Sequence, residues 1–376
     1  MSAEPSTLAQ RQAQDRFRLK RLGLFLLTGT ALNLGLVLSG AAAGLRDLTG
    51  DDTLAQRALF VAAYGAVTSA AQLPLEYLLG YRQERRAGLL RLGTAAWLRQ
   101  WGAASAVSTV VQGSLYLAVS GVFRAAPDAW LPGAAAAITV FLGALVALQP
   151  WLTRRAVRLR PLTDERVSAL AQTLFAQAGV RLTGLQVAEV SRNARVANAF
   201  VQPSLRGAQL IVSDTLLAQA SDEELRFVIA HELGHHARRD LWRLLAWQWL
   251  SLLGMVGAAA ILLGTLGTQG GLQGAGDIGA VPVLALAFTL AQRGLDLVGH
   301  ALKRQMEYRA DTYALRLTGD LDGMARVLER LSDQNLQDPN PPRAAEVLFH
   351  DHPAHARRLA AARRVLAQPL NGVRHV

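Results

Sequence analysis

The sequence predicts a mainly α membrane protein, a helical transmembrane bundle of about six spans with an α/β domain inserted into it. Three observations predict this. Of the 376 residues, 51% are hydrophobic and mean hydropathy is positive, more apolar than an ordinary soluble domain. Six apolar runs reach the ~20 residues needed to cross a bilayer. Between the fourth and fifth runs lies a stretch of ordinary globular composition with alternating strand and helix patterns.

The six runs are residues 22–45, 58–81, 101–123, 130–152, 242–266 and 278–300. The first can also be read as a signal segment, with Arg16, Arg18, Lys20 and Arg21 ahead of it and Ala41, Ala42 and Ala43 as a cleavage site. Its apolar stretch is longer than a usual signal core, which favours a retained span. Lys and Arg concentrate on one side: Arg11 to Arg21 before the first span, Arg82 to Arg99 between the second and third, Arg154 to Arg160 after the fourth, Arg238 to Arg243 before the fifth and Lys303 to Arg309 after the sixth. The loops at 125–128 and 267–277 carry no Lys or Arg. Positive charge marks the cytoplasmic side, so both termini and the inserted domain are expected there. The formal net charge of +11 is thereby read as membrane orientation rather than nucleic-acid binding, because the basic residues flank apolar runs instead of interleaving with aromatics.

The expected organisation is a basic tail (1–21), a four-span domain (22–152), a first catalytic part (153–241), a two-span hairpin (242–300) and a second catalytic part (301–376). Within the first catalytic part, 164–178 has helical periodicity and 185–190, 199–203 and 209–212 read as short strands. A helix then starts at Ser221, which forms a capping box with Glu224. The Gly-rich 264–279 stretch suits an external loop.

That capped helix carries His231-Glu232-Leu233-Gly234-His235. Residues four apart share a helix face, so both imidazoles can reach one ion, and Glu232 lies beside that face as a base. There is no cysteine, so a zinc ion must be held by His and carboxylate. A catalytic site wants three protein ligands. His236 points away from the pair. Glu307 is the better third ligand, because Arg293, Asp296, His300, Arg304, Glu307 and Asp311 recur at three- and four-residue steps as one polar stripe leaving the last span. Asp311, one turn on, can fix the tautomer of a ligand imidazole. Donors for a tetrahedral oxyanion are sought in Asn198 and in His352 with Arg358; taken alone, each of those segments reads as an ordinary turn or loop. The competing reading of the motif is a polar helix surface with incidental histidines.

Together these segments resemble the Ste24-type family of integral-membrane M48 metallopeptidases, which includes the CAAX prenyl proteases. The resemblance runs in order through Leu73-Pro74-Leu75-Glu76-Tyr77 with Glu84 and Gly88, Gln149-Pro150-Trp151-Leu152, Arg160-Pro161-Leu162, Asn198-Ala199-Phe200, Ile211 to Leu217, His231 to His235, Glu307 to Asp311, and His352 with Arg358. It implies a zincin-like catalytic domain and one zinc ion on His231, His235 and Glu307. It implies a substrate groove along Ala197, Asn198, Ala199 and Phe200, with His352 and Arg358 lining it. The peptide would add there as a strand. Family members commonly have seven spans facing a large chamber; six are counted here. The Ala-, Leu- and Arg-rich composition looks bacterial, so prenylated substrates do not carry over. An HtpX-like quality-control protease is the alternative within enzymes. A transporter or channel with an incidental metal, motivated by Gln72, Glu76, Arg293 and Asp296 within the spans, is the alternative of another class.

Overall fold

A computed structural model describes residues 7–367 apart from 195 and 205. The outermost parts of both expected terminal regions, 1–6 and 368–376, lie outside the described residues.

The first helix, α1 (Leu8–Leu38), starts well before the first apolar run, at a Thr7–Gln10 capping box. The basic stretch expected as a tail is therefore helical. Arg11 pairs with Glu329 at 2.8 Å and Arg18 donates to the carbonyl of Asn335 at 2.8 Å, docking the helix on the far end of the chain. The run expected to continue to residue 45 is broken. Gly40 adopts φ 77°, and a short α2 (Ala41–Thr49) follows. A side chain at Gly40 would meet the Gly270 carbonyl at 3.3 Å, so the break lets the external loop approach closely. Ala42 and Ala43 are buried in the membrane-domain core.

The second span, α3 (Leu54–Leu75), passes into a π-helical turn at Glu76–Tyr81 and then α4 (Arg82–Arg86). Pro74 lies just ahead of that turn and cannot donate an amide hydrogen bond, which favours a widened turn. The next spans are α5 (Thr94–Ala125) and α6 (Trp130–Ala156). The α/β domain opens with β1 (Leu159–Pro161), a strand absent from the sequence reading, and α7 (Glu165–Gln177). It continues through β2 (Leu182–Ala188), β3 (Ala199–Ser204), β4 (Gly207–Ser213), α8 (Asp214–Leu217) and α9 (Asp222–Ala237). The last two spans are α10 (Asp240–Leu266) and α11 (Val281–Thr318), followed by α12 (Leu321–Asn335), α13 (Arg343–Phe349) and α14 (His355–Ala367).

Among the described residues, six helices are long and apolar enough to cross a membrane. They touch in the order α1, α3, α5, α6, α10, α11, and α11 returns to α1. The ring encloses a cavity of about 890 Å³ whose lining includes Asn33, Gln72, Glu76, Gln112, Gln248 and Arg293. Polar groups facing a shared interior satisfy the rule that such residues avoid lipid. The sheet has order β1-β2-β4-β3, with β2 and β4 parallel and the other pairs antiparallel. Its core joins Val167, Phe175, Leu210 and Val212 to Phe227, Ile229 and Leu233 of α9 and to Leu315 of α11. One helix, α11, thus runs from the far end of the membrane ring into the α/β core.

Candidate metal centre

The α9 helix forms where the sequence expects it. The Ser221 amide donates to Glu224 Oε2 at 2.8 Å, and the Glu224 amide returns to Ser221 Oγ. Three acidic residues in its first turn suit the positive end of the helix dipole. Arg330 of α12 clamps the same Glu224 carboxylate at 3.1 Å, fixing α9 against the carboxy-terminal helices. At its other end α9 presses on α11 through Gly234. A Cβ there would meet the Ala310 Cα at 3.0 Å and its carbonyl at 3.1 Å. Gly within the motif therefore sets the distance between the helix bearing the histidines and the helix bearing Glu307.

The structure brings His231, His235 and Glu307 together, with one potential ligand atom from each lying within 4.8 Å of the others. His231 Nε2 and His235 Nε2 are 3.2 Å apart, and they stand 3.5 Å and 3.4 Å from the Glu307 oxygens. Donors about 2.0–2.2 Å from one tetrahedral ion would lie roughly 3.3–3.5 Å from each other, so this set of two imidazoles and a carboxylate fits a metal ion. Each imidazole turns Nδ1 outward to a carboxylate: His231 to Asp311 at 3.0 Å and His235 to Asp240 at 2.9 Å. Asp311, expected one turn beyond Glu307 to fix a ligand imidazole, lies against His231. Asp240 was not singled out, because it lies beyond the motif and across a helix break; an acidic residue within a few positions of the second histidine was the available signal.

Burial works against charge on His235, but its hydrogen bonds with Asp240 and Glu307 outweigh that and lift its pKa from 6.5 to about 10. Desolvation of His231 is likewise outweighed by hydrogen bonds with Asp311 and Glu307, so its pKa is raised. Glu232 is half-buried. Desolvation pushes its carboxyl above the usual range, against the pull of His231 and His235.

His352 lies at the rim, with its side chain 61% exposed and Nε2 3.5 Å from Glu307. Its Nδ1 contacts Asp351 at 2.8 Å, and that bond holds the imidazole above its usual pKa. Asn198 is exposed at the start of β3, and its backbone is pinned by Ser213 Oγ at 2.9 Å. Phe200 is partly buried, whereas Ala197 and Ala199 turn their side chains into the core, so only their backbone can meet a substrate. The edge strand β3 has β4 on one side and no strand on the other among the described residues.

Arg358 departs from the expected groove position. It is buried behind the cluster, donating to Asp311 at 2.6 and 2.8 Å and standing 3.2 Å from Glu307. Two carboxylates absorb its charge, and this drew it inward. Arg304, part of the polar stripe, donates to the carbonyls of Glu346 and His350 at 3.1 and 2.7 Å and so ties down the end of α13. His236 takes no part in the cluster.

Residues 161–366 match the profile of peptidase family M48. The chain belongs to that family. It is a multi-pass membrane metallopeptidase, and as a peptidase it acts on peptide or protein substrates. Among its relatives is the uncharacterized metalloprotease YhfN of Bacillus subtilis, 22% identical over 308 residues, covering 81% of this chain and 72% of that protein. CAAX prenyl protease 1 of Saccharomyces cerevisiae is 22% identical over 334 residues, covering 82% and 72%. An HtpX protease homologue of Halobacterium salinarum is 28% identical over 202 residues, covering 53% and 65%. The solved structure of S. mikatae Ste24p superposes with a TM-score of 0.74 at 19% identity, covering 92% of this chain and 83% of that one, and so shares the fold.

Proposed function

We propose that this metallopeptidase is a zinc endopeptidase of the Ste24 type, holding one zinc ion on His231, His235 and Glu307 and cutting extended peptides or membrane-associated proteins at the cytoplasmic face of a bacterial plasma membrane. The carrying observation is the 3.2–3.5 Å spacing of the three donors, the separation that one tetrahedral ion requires. The orientation rests on the Lys and Arg that flank the α/β side of the spans.

When bound, zinc supplies a Lewis acid that acidifies a water molecule and polarises the scissile carbonyl. Glu232 accepts a proton from the attacking water and delivers it to the leaving amine. His352, oriented by Asp351, donates from Nε2 to the oxyanion as charge develops there, and Asn198 is the second candidate donor. The substrate pairs with the free edge of β3, whose backbone amides and carbonyls offer an added strand its ladder. Asp311 holds the His231 ring, and Arg358 holds Asp311 and Glu307 from behind, a positioning role rather than a groove contact.

The HtpX-like reading shares this chemistry and differs in substrate. The closed six-helix ring and the fold match over 92% of the chain favour the Ste24 type. The test is Glu232→Gln in the full-length protein. Peptide cleavage is expected to fall about 10²–10⁴-fold while zinc content stays at one per chain. Undiminished cleavage would remove Glu232 from the reaction and the proposal with it.

A further inference from the structure

Given the metal-binding role proposed for His235, we infer that Asp240 is a positioning residue of the catalytic centre, fixing the His235 ring so that Nε2 faces the other donors, with Arg243 as its counter-ion. Asp240 is only 2% exposed. Its Oδ2 stands 2.9 Å from His235 Nδ1, and its Oδ1 accepts from Arg243 Nη1 at 3.0 Å. Both oxygens are thus committed to these partners rather than to the amides of the helix that Asp240 begins. A carboxylate on Nδ1 holds a proton on that nitrogen, so that Nε2 is the nitrogen turned to the cluster to take a metal ion, 3.2 Å from His231 and 3.4 Å from Glu307. Burying a carboxylate is costly unless it is paired, and His235 and Arg243 are the partners that offset the cost.

The backbone is shaped for this contact. In an unbroken helix, position 240 would lie about 140° around the axis from position 235 and could not reach its ring. Instead α9 ends at Ala237, Arg238 caps it, and Arg239 takes the left-handed conformation at φ 56° and ψ 38°. Arg239 is one of two non-glycine residues with positive φ among those described. That single residue turns the chain so that the first side chain of the fifth span reaches back to the last turn of the motif helix. Such strain in a bulky residue persists where the surroundings require it. The fifth span is thereby joined to the metal ligand both through the two-residue backbone link and through Asp240.

The experiment measures zinc affinity of the full-length protein in detergent by competition with a chromophoric chelator. Four variants are compared: Asp240→Ala, Asp240→Asn, Arg243→Ala and His235→Ala. Asp240→Ala is expected to lose affinity about 10–100-fold. Asp240→Asn, whose amide oxygen still accepts from Nδ1, is expected to lose roughly 3–10-fold, and its metal-free melting temperature should match the unaltered protein, which a purely structural role would not allow. Arg243→Ala should fall between unaltered and Asp240→Asn. Full affinity in His235→Ala would overturn the ligand assignment itself. A large loss in His235→Ala together with unchanged affinity in Asp240→Ala would overturn the role of Asp240 alone. Should Asp240→Ala fail to fold, unchanged affinity in Asp240→Asn overturns it equally.

Discussion

His231 and His235 each turn Nδ1 to a carboxylate that is itself held by a guanidinium, yet the two chains of contact sit in opposite settings. Behind His231, the side chains of His231, Asp311 and Arg358 are 10%, 5% and 8% exposed. Behind His235, those of His235, Asp240 and Arg243 are 25%, 3% and 48% exposed. The first chain closes inside the protein between α11 and α14; the second ends in solvent at the start of the fifth span. The same donor–acceptor order is therefore rigid on one side and relieved by water on the other. Removing a terminal cation should be severe in the first case and mild in the second.

The largest expected effect follows directly. Arg358→Ala leaves Asp311 and Glu307 as buried carboxylates with one guanidinium fewer, and should destabilise the fold by about 3–5 kcal/mol. Arg243→Ala removes a half-exposed partner and should cost below about 1 kcal/mol. Unfolding of both variants in detergent, compared at one pH, checks this. Equal losses would break the contrast.

Acid should act on the buried side first. His355, at the start of α14, bonds to Ser332 and is held to a pKa of about 4, by burial first and then by repulsion from Arg358 and His352 against the pull of Asp311. Its pKa is depressed from 6.5, so the fold binds its proton less well than the unfolded chain does. The resulting stability is complete above pH 6.5, declines as pH falls and is lost by about pH 4. At 1.36 kcal/mol per unit, the decline amounts to roughly 3 kcal/mol at most. His355→Gln should flatten that part of the stability profile relative to the unaltered protein. An identical slope in both would mean that the imidazole is not held neutral by the fold.

Legibility in the sequence followed the range of the interaction. The capped α9 helix was readable because both partners of its box lie three residues apart. Glu307 was readable because helical periodicity projects it onto the same face as Arg293, Asp296 and Arg304, even though the cluster it joins is distant in the chain. The break at Gly40 was hidden inside an apolar run; its cause, the approach of Gly270, lies more than two hundred residues away. The three-residue β1 is too short to show alternation and forms because β2 offers it an edge. Arg358 carried the right spacing but no sign of direction, which is set by two carboxylates on another helix. Asp240 was obscured because the helix that would carry it away from His235 stops three residues earlier, at Ala237.

The smallest expected effect is the sharpest test of the open side, because Arg239 lies in the backbone link between His235 and Asp240. Its side chain is exposed, so its contribution lies in the backbone. A non-glycine residue in the left-handed region costs about 1–2 kcal/mol. Glycine relieves that strain but gives the unfolded chain more freedom, which returns roughly 0.5–1 kcal/mol of the gain. Arg239→Gly should therefore stabilise the protein by about 0.5 kcal/mol and leave zinc affinity within about twofold. Arg239→Val has the opposite expectation, because a β-branched side chain tolerates positive φ poorly. The turn should then open, and Asp240 should lose its reach to His235, with affinity falling toward that of Asp240→Ala. The contacts of His231 with Asp311 and Arg358 would be untouched. A valine variant with unaltered zinc affinity would show that the left-handed turn is not what aims Asp240 at the ring.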